Sequence, residues 1–424
     1  MCLSAFVAIT YKLPRRHQDT KFQKMFKQRH CLILLLAIFP LFSFSQVKPG
    51  MWHGEFQLND TVSLPFQFES SGNTIEFINA QERIKVSEIT ASGDSVFIKM
   101  PVFDSEIRCQ LKGDTMTGKF LNHARTSDNI IPFQAIAGKK NPLVNSFELK
   151  NFEGRWEVTF AGDEPPMNKA VGEFSQQGNH ITGTFLTPTG DYRYLDGFAD
   201  GNKMYLSCFD GSHLFYFSAE INPDDVLDGH FFSGKHWHDT WKAIRNENAS
   251  LPDADSLTFL KKGFDKIAFT FPDADSNMVS LTDKKFEGKV VVIQVMGTWC
   301  PNCMDETEFL APFYKKNNAK GLEIIGLDYE RIPTLQTAKK NLKRLRERYG
   351  IEYTLLFAGS TDKEKREKTL PMLSSILSFP TTIIIDKKGR VRNIHTGFSG
   401  PATGIYFEQW KIHFTGLIDK LLAE

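Results

Sequence analysis

Two kinds of hydrophobic pattern divide the chain. From residue 47 to about residue 247, apolar and polar positions alternate in short runs, several of them rich in aromatic residues. Gly-Asn, Gly-Asp and Asp-Gly pairs punctuate these runs, and such pairs favour the tight turns of β-hairpins. No apolar run of helical period and ordinary length stands in this half. From residue 264 onward the pattern changes. Val290 to Met296 is an unbroken β-branched and apolar run, long enough for a strand buried on both faces. Beyond Gly297 and Thr298, Phe309, Leu310 and Phe313 recur at helical spacing as far as about Tyr314. Leu322 to Leu327 predicts a second central strand. Thr334 to Tyr349 predicts an amphipathic helix with Leu335, Ala338, Leu342, Leu345 and Tyr349 on one face. Its Lys339, Lys340, Lys343, Arg344, Arg346 and Arg348 are read as a solvated face, with a docking patch for an acidic partner as the lesser reading. A strand at Tyr353 to Phe357, a charged turn or helix within Thr361 to Ser378, and a hairpin of Ile383–Ile385 with Val391–Ile394 follow. A helix from about Ile405, apolar at Trp410, Phe414, Leu417 and Leu421, closes the chain. Strands alternating with helices and ending in a hairpin predict a mixed sheet flanked by helices.

The alternating half contains a duplication. Met51-Trp52-His53-Gly54-Glu55-Phe56 parallels Arg155-Trp156-Glu157-Val158-Thr159-Phe160, and Phe68–Asn73 parallels Phe174–Asn179. Val102–Ser105 then parallels Cys208–Gly211, Met116–Phe120 parallels Leu227–Phe231, and Phe133–Ile136 parallels Trp241–Ile244. Five matches in the same order at a nearly constant offset mark a repeat. With roughly eight short runs per copy, the reading is two small antiparallel β-barrels or sandwiches. The expected division is a leader at 1–46, a first β repeat at 47–140, a second at 150–247, a connector at 248–263 and an α/β domain at 264–424. Trp52, Trp156, Phe185, Tyr205, Phe215 and Phe217 are assigned to the repeat cores.

At 424 residues, 41% hydrophobic and 24% charged, the chain is long enough for several domains. A net charge of +1 with no dense basic block beyond the leader argues against nucleic acid as a partner. The leader itself has Lys27 and Arg29, an apolar stretch from Cys31 to Phe44, and Ser43-Phe44-Ser45 before Gln46. That order reads as a secretory signal peptide starting at Met25 and cleaved near Ser45. A retained membrane anchor is disfavoured, because Pro40 interrupts a stretch already short for a bilayer. An exported protein in the periplasm or cell envelope is expected. Cys109, Cys208, Cys300 and Cys303 lie beyond the leader. Cys109 and Cys208 are read as buried thiols, although an oxidising compartment leaves their pairing open.

The chemistry concentrates at Trp299-Cys300-Pro301-Asn302-Cys303, where the buried strand passes into the helix. A helix N-terminus offers unpaired N–H groups and partial positive charge, which favour a thiolate at the first cysteine. Pro301 is tolerated there because the first helical residues need no backbone donor, and the second cysteine lies one turn on, within disulfide reach. A redox dithiol is the reading; half of a zinc site and an inert disulfide are its competitors. No second Cys-x-x-Cys or His-x-x-x-His follows to complete four zinc ligands, so no metal is expected. His236-Trp237-His238 puts two imidazoles on one strand face without a third ligand in view. Gly397 to Gly404 lacks the Gly-Lys-Ser/Thr ending of a phosphate loop and is read as ordering the terminal helix, with the dithiol groove as a possible neighbour.

Four ordered segments resemble the TlpA/ResA-like disulfide reductases of the thioredoxin fold, over Phe264 to Glu424. They are the leading hairpin Phe269–Asp273 with Val279–Leu281 and Gly288–Val292, the turn Thr298–Cys303, the acid Glu306, and Ser378-Phe379-Pro380-Thr381-Thr382 before Ile383–Asp386. Met296 and Asn302 depart from residues common in that family, and Gln294 stands where thioredoxin itself carries a buried acid. The resemblance implies a thioredoxin-like domain exchanging disulfides through Cys300 and Cys303, without a cofactor. It implies Glu306 as an active-site acid, although a first-turn acid favoured by the helix dipole is an equal reading of the residue alone. It also implies a cis Pro380 presenting Phe379 and Thr381 to substrate, with Trp299 over the sulfurs. The expected partners are a disulfide-containing protein and an upstream thiol donor, with a membrane thiol carrier as one form of it. Two other functions compete: a peroxidase on the same fold, and a binding protein whose β repeats carry the main function.

Overall fold

The computed structural model describes residues 47–138 and 148–424, so the signal-peptide, anchor and cleavage readings at residues 1–46 lie outside the described residues. Residues 47–245 form two antiparallel sheets of nine strands each, with no helix among the described residues of this half. In the first sheet, Gly50–Gln57 pairs with Ser63–Ser70 on one side and Ile130–Ala137 on the other. Its two edges are Glu82–Val86 and Ile89–Ser92, which follow each other in sequence and do not pair, so the barrel stays open at that seam. The second sheet closes. Lys169–Gln177 pairs with both Gly154–Phe160 and His180–Thr187, while Trp237–Arg245 returns to Gly154–Phe160. The two-residue strand Gly190–Asp191 adds to the margin of His180–Thr187.

Aromatic side chains fill both interiors. Phe185 lies 4.4 Å from Phe217 and 5.2 Å from Trp241, ring centre to ring centre, so the closed barrel is a packed core rather than a hollow one. The duplication persists at the level of single bonds: Trp52 Nε1 donates to the Lys48 carbonyl and Trp156 Nε1 to the Phe152 carbonyl, both at 2.9 Å. Trp52, Trp156, Phe185 and Phe217 are fully buried, as expected. Tyr205 and Phe215 are only half-buried. Strand alternation turns Tyr205 outward, where it packs on Phe198 of the neighbouring strand.

Two equivalent loops of the repeats join the parts of the chain. Phe209 enters the core of the first sheet, 4.8 Å from Phe56 and 5.0 Å from Phe77. Phe103, its counterpart in the first repeat, is buried in the core of the C-terminal domain with Met296, Cys300 and Trp410. Asp104 beside it pairs with Lys340 at 2.9 Å and Arg344 at 3.4 Å. Part of the helix face read mainly as solvated is therefore held against the first repeat, because an acid sits within reach of two of its bases.

The C-terminal domain is built on a five-stranded mixed sheet. The order is Thr354–Ser360, Leu322–Glu330, Val290–Met296, Thr381–Ile385, Val391–Thr396, with the first two pairings parallel and the last two antiparallel. Helices Pro301–Asn317, Leu335–Tyr349 and Ile405–Ala423 flank it. All seven residues of Val290–Met296 are buried, as a central strand covered on both faces requires. Thr270–Pro272 and Met278–Ser280 form the small leading hairpin. Within the stretch read as a connector, Ala254–Leu257 is helical, and Asp255 is fixed to His395 at 2.6 Å and Asn393 at 2.8 Å. Among the described residues no helix is long and apolar enough to cross a membrane.

Candidate functional site: a dithiol at the head of a helix

Cys300 is the N-cap of helix Pro301–Asn317, with Pro301 at its first position. The Cys303 backbone N–H points at Cys300 Sγ at 3.1 Å. Cys300 and Cys303 are joined as a disulfide, their Cα atoms 5.3 Å apart. A sulfur placed there receives a donor that the first helical turn cannot otherwise satisfy, in the positive end of the helix field. Reduction would leave the Cys300 thiolate with that stabilisation, which lowers a thiol pKa. Cys300 is 3% exposed and Cys303 0%.

The segment expected at the dithiol is there. The Phe379–Pro380 peptide is cis, and the Phe379 carbonyl oxygen lies 3.3 Å from Cys300 Sγ. Trp299 packs edge-to-face on Phe379 at 5.4 Å and donates from Nε1 to the Tyr329 carbonyl at 2.9 Å. Thr381 is fully buried and turns its hydroxyl to the Ser378 carbonyl at 2.8 Å. Thus Trp299 and Phe379 meet at the sulfurs, whereas the side chain of Thr381 faces the interior. Gly297 permits this arrangement. A methyl added there would collide with the Trp299 ring and stand 2.8 Å from the Tyr329 carbonyl oxygen. Gly297→Ala should cost about 1–3 kcal/mol, as overpacking generally does. A lowered urea midpoint is the expected measurement, and an unchanged one would show that the indole moves freely.

Glu306, one turn after Cys303, is fully buried. Its carboxylate bonds Thr382 Oγ1 and accepts from Gln294 Nε2 at 2.8 Å. The same Gln294 nitrogen donates to the Cys303 carbonyl at 3.1 Å, and Thr307 Oγ1 holds the Gln294 oxygen at 3.1 Å. Burial pushes the Glu306 carboxyl up to about 7, against the opposing effect of its bonds to Thr382 and Gln294. On the other side of the active-site turn, Thr298 Oγ1 donates to Glu330 Oε1 at 2.5 Å, and Asn341 Nδ2 to the same oxygen at 3.0 Å. Burial raises Glu330 as well, and burial reinforced by Glu330 drives Asp328 well above the usual carboxylate range.

Several of these neighbours carry no signal in the sequence. Arg331 lies over the Trp299 ring, 4.1 Å from its centre. Asn302, between the cysteines, donates to the Asp191 carbonyl at 3.3 Å. The loop Gly397–Gly404 contributes Gly400, whose N–H donates to Asp191 Oδ1 at 2.8 Å, and leads through Pro401–Thr403 into the terminal helix. Cys109 and Cys208 are free, buried thiols. His236 and His238 do not share a face: His238 meets His230 across the sheet at 3.1 Å, while His236 lines a crevice with Arg125 and Arg331. The strand begins at Trp237, leaving His236 in the preceding turn where alternation does not apply.

Residues 257–404 match the family model described as Redoxin. The thiol-disulfide oxidoreductase ResA of Geobacillus thermodenitrificans (strain NG80-2) is 27% identical over 129 residues, which are 30% of this chain and 66% of that protein. ResA of Bacillus thuringiensis subsp. konkukian (strain 97-27) is 31% identical over 123 residues, 29% of this chain and 62% of that protein. The chain therefore spans less than two thirds of the length of either of these curated relatives. A crystal structure of a thiol:disulfide interchange protein of the thioredoxin family from Chlorobium tepidum TLS shares 20% identity and a TM-score of 0.29, covering 38% of this chain and 98% of that chain.

Proposed function

We propose that the chain is a thiol-disulfide oxidoreductase that reduces disulfides in protein substrates, a reading supported by the Redoxin match over residues 257–404 and by the similarity of its C-terminal part to ResA. The observation that carries this reading is the Cys300–Cys303 pair at a helix N-terminus, with the Phe379 carbonyl 3.3 Å from Cys300 Sγ. In the proposed cycle the Cys300 thiolate attacks a substrate disulfide, forming a mixed disulfide and releasing one substrate thiolate. Cys303, deprotonated, attacks Cys300, releases the second substrate thiolate and leaves Cys300–Cys303 oxidised. Two electrons have then passed to the substrate, and an upstream thiol donor restores the dithiol. Glu306 is proposed to take or give the proton of the second step; Gln294 Nε2, which donates both to its carboxylate and to the Cys303 backbone carbonyl, holds it beside that turn. Trp299, Phe379, Pro380 and Thr381 are proposed to line the path of the substrate chain.

An exported setting, with a membrane thiol carrier as the donor, is part of the same proposal and rests on the leader pattern at residues 1–46. The test is equilibration of the purified protein in graded thiol–disulfide buffers. A reduction potential near or below about −250 mV is expected for an electron-fed reductant, whereas a value near about −120 mV would make the protein a disulfide donor.

A further inference from the structure

A turn from another part of the same chain is bonded to the segments around the dithiol. In the second repeat the strands His180–Thr187 and Gly190–Asp191 meet in the turn Thr187-Pro188-Thr189-Gly190-Asp191, and this turn touches all three segments that surround the sulfurs. On the proline segment, Ser378 Oγ donates to the Thr189 carbonyl at 2.8 Å. Between the cysteines, Asn302 Nδ2 donates to the Asp191 carbonyl, and a Cβ at Gly190 would collide with the Asn302 amide. On the loop before the terminal helix, Gly400 N–H donates to Asp191 Oδ1, and a methyl at Gly397 would stand 2.8 Å from the Pro188 carbonyl oxygen.

Two residues on, Arg193 pins the turn. Its guanidinium meets Asp305 of the dithiol helix at 2.5 Å and Glu82 of the first repeat at 2.5 Å, with side chains only 10%, 13% and 14% exposed. Asp191 Oδ2 also accepts from the Arg193 N–H at 2.9 Å. Arg193 adopts a left-handed backbone, φ 58°, a conformation that costs a non-glycine residue free energy and persists where its surroundings enforce it. Through Ser378, next to Phe379, the turn stands beside the path proposed for a substrate chain.

We propose that the turn Thr187–Asp191 is a built-in cover of the Cys300–Cys303 dithiol, so that the second repeat determines which disulfides reach it and must swing its turn aside for a protein substrate. The proposal rests on the oxidoreductase reading for the meaning of access, but not for its test. If the closed arrangement dominates, the competent fraction is small, and removing anchors raises the observed rates by enlarging that fraction.

The full-length chain is reduced, freed of reductant and treated with iodoacetamide; alkylation of Cys300 is followed by peptide mass, and insulin disulfide reduction is measured in parallel. Asp191→Ala removes the anchors on Gly400 and on the Arg193 backbone. It should speed both reactions about tenfold, since each lost charge-assisted hydrogen bond weakens the closed state severalfold or more. Ser378→Ala removes one bond to the turn and should give about a threefold rise; it keeps the test decisive should Asp191→Ala fail to fold. Cys300 alkylation that stays at the parent rate in folded variants overturns the cover, whatever the insulin assay gives. Faster alkylation with no disulfide exchange by parent or variants supports the cover and overturns the oxidoreductase reading instead.

Discussion

Cys300→Ser should lower disulfide reduction to the uncatalysed background, while Cys303→Ser should accumulate a covalent adduct with the substrate. The asymmetry follows from the positions of the two sulfurs. Cys300 caps the helix, receives the Cys303 N–H and sits 3.3 Å from the Phe379 carbonyl. A serine hydroxyl placed there stays protonated near neutral pH and offers a far weaker nucleophile than a thiolate. Cys303 is fully buried inside the first turn, where it can reach Cys300 but not a sulfur on an incoming chain. Without it the mixed disulfide on Cys300 has no intramolecular thiol to resolve it. Non-reducing electrophoresis against insulin or a protein mixture should show high-mass, thiol-sensitive adducts with Cys303→Ser and none with the double variant. Adducts formed by Cys300→Ser would exchange the roles of the two cysteines. Undiminished reduction by Cys300→Ser would remove the dithiol from the chemistry altogether.

The parts of this site that were legible in the sequence are those whose determinants are local. Val290–Met296 announces a buried strand, Gly297–Thr298 its end, and Cys300-Pro301 the start of a helix; the structure places each element at those residues. Alternation and turn pairs likewise announced two antiparallel β repeats, as barrels or sandwiches. What alternation does not carry is closure: the sequence has nothing to say that Lys169–Gln177 pairs on both sides while Glu82–Val86 and Ile89–Ser92 stay apart. The acid at Glu306 was legible, but its setting was not. Thr382 reads only as the last residue of the proline segment, and it reaches Glu306 across 76 positions of sequence. Arg193 meets Asp305 across 112 positions and Glu82 across 111. The pairings of Arg193 depend on how the barrels are set against the C-terminal domain, and each partner is one ordinary charged residue until that packing is known. Packing also misdirected two local readings. The bases at Lys340 and Arg344 found Asp104, and His238 found His230 rather than His236.

Glu306→Gln should make stability and turnover less sensitive to pH between about 4.5 and 7, and the sign is fixed by burial. The carboxyl is pushed from 4.5 up to about 7 in the folded chain. Between those values the folded state holds a proton that the unfolded state has released, so stability falls as pH rises through this window and levels off above it. A shift of this size corresponds to roughly 3 kcal/mol at most, at about 1.4 kcal/mol per pH unit. The oxidised parent and the variant should therefore have similar urea midpoints near pH 4, and the variant should gain about 2–3 kcal/mol over the parent at pH 8. Glutamine can keep both contacts, with its oxygen toward Gln294 Nε2 and its amide toward Thr382 Oγ1. Asp328 and Glu330 are raised in the same direction, but they are present in both proteins and drop out of the difference. A variant–parent difference that is flat across pH would mean that Glu306 does not change its charge in the folded chain. The kinetic consequence is separable. If Glu306 moves the proton of the resolving step, the parent has a rate limb near pH 7 that the variant lacks. If the limb survives while the stability difference behaves as expected, Glu306 is a buried neutral acid that supports the helix, and the proton of the resolving step passes through another group.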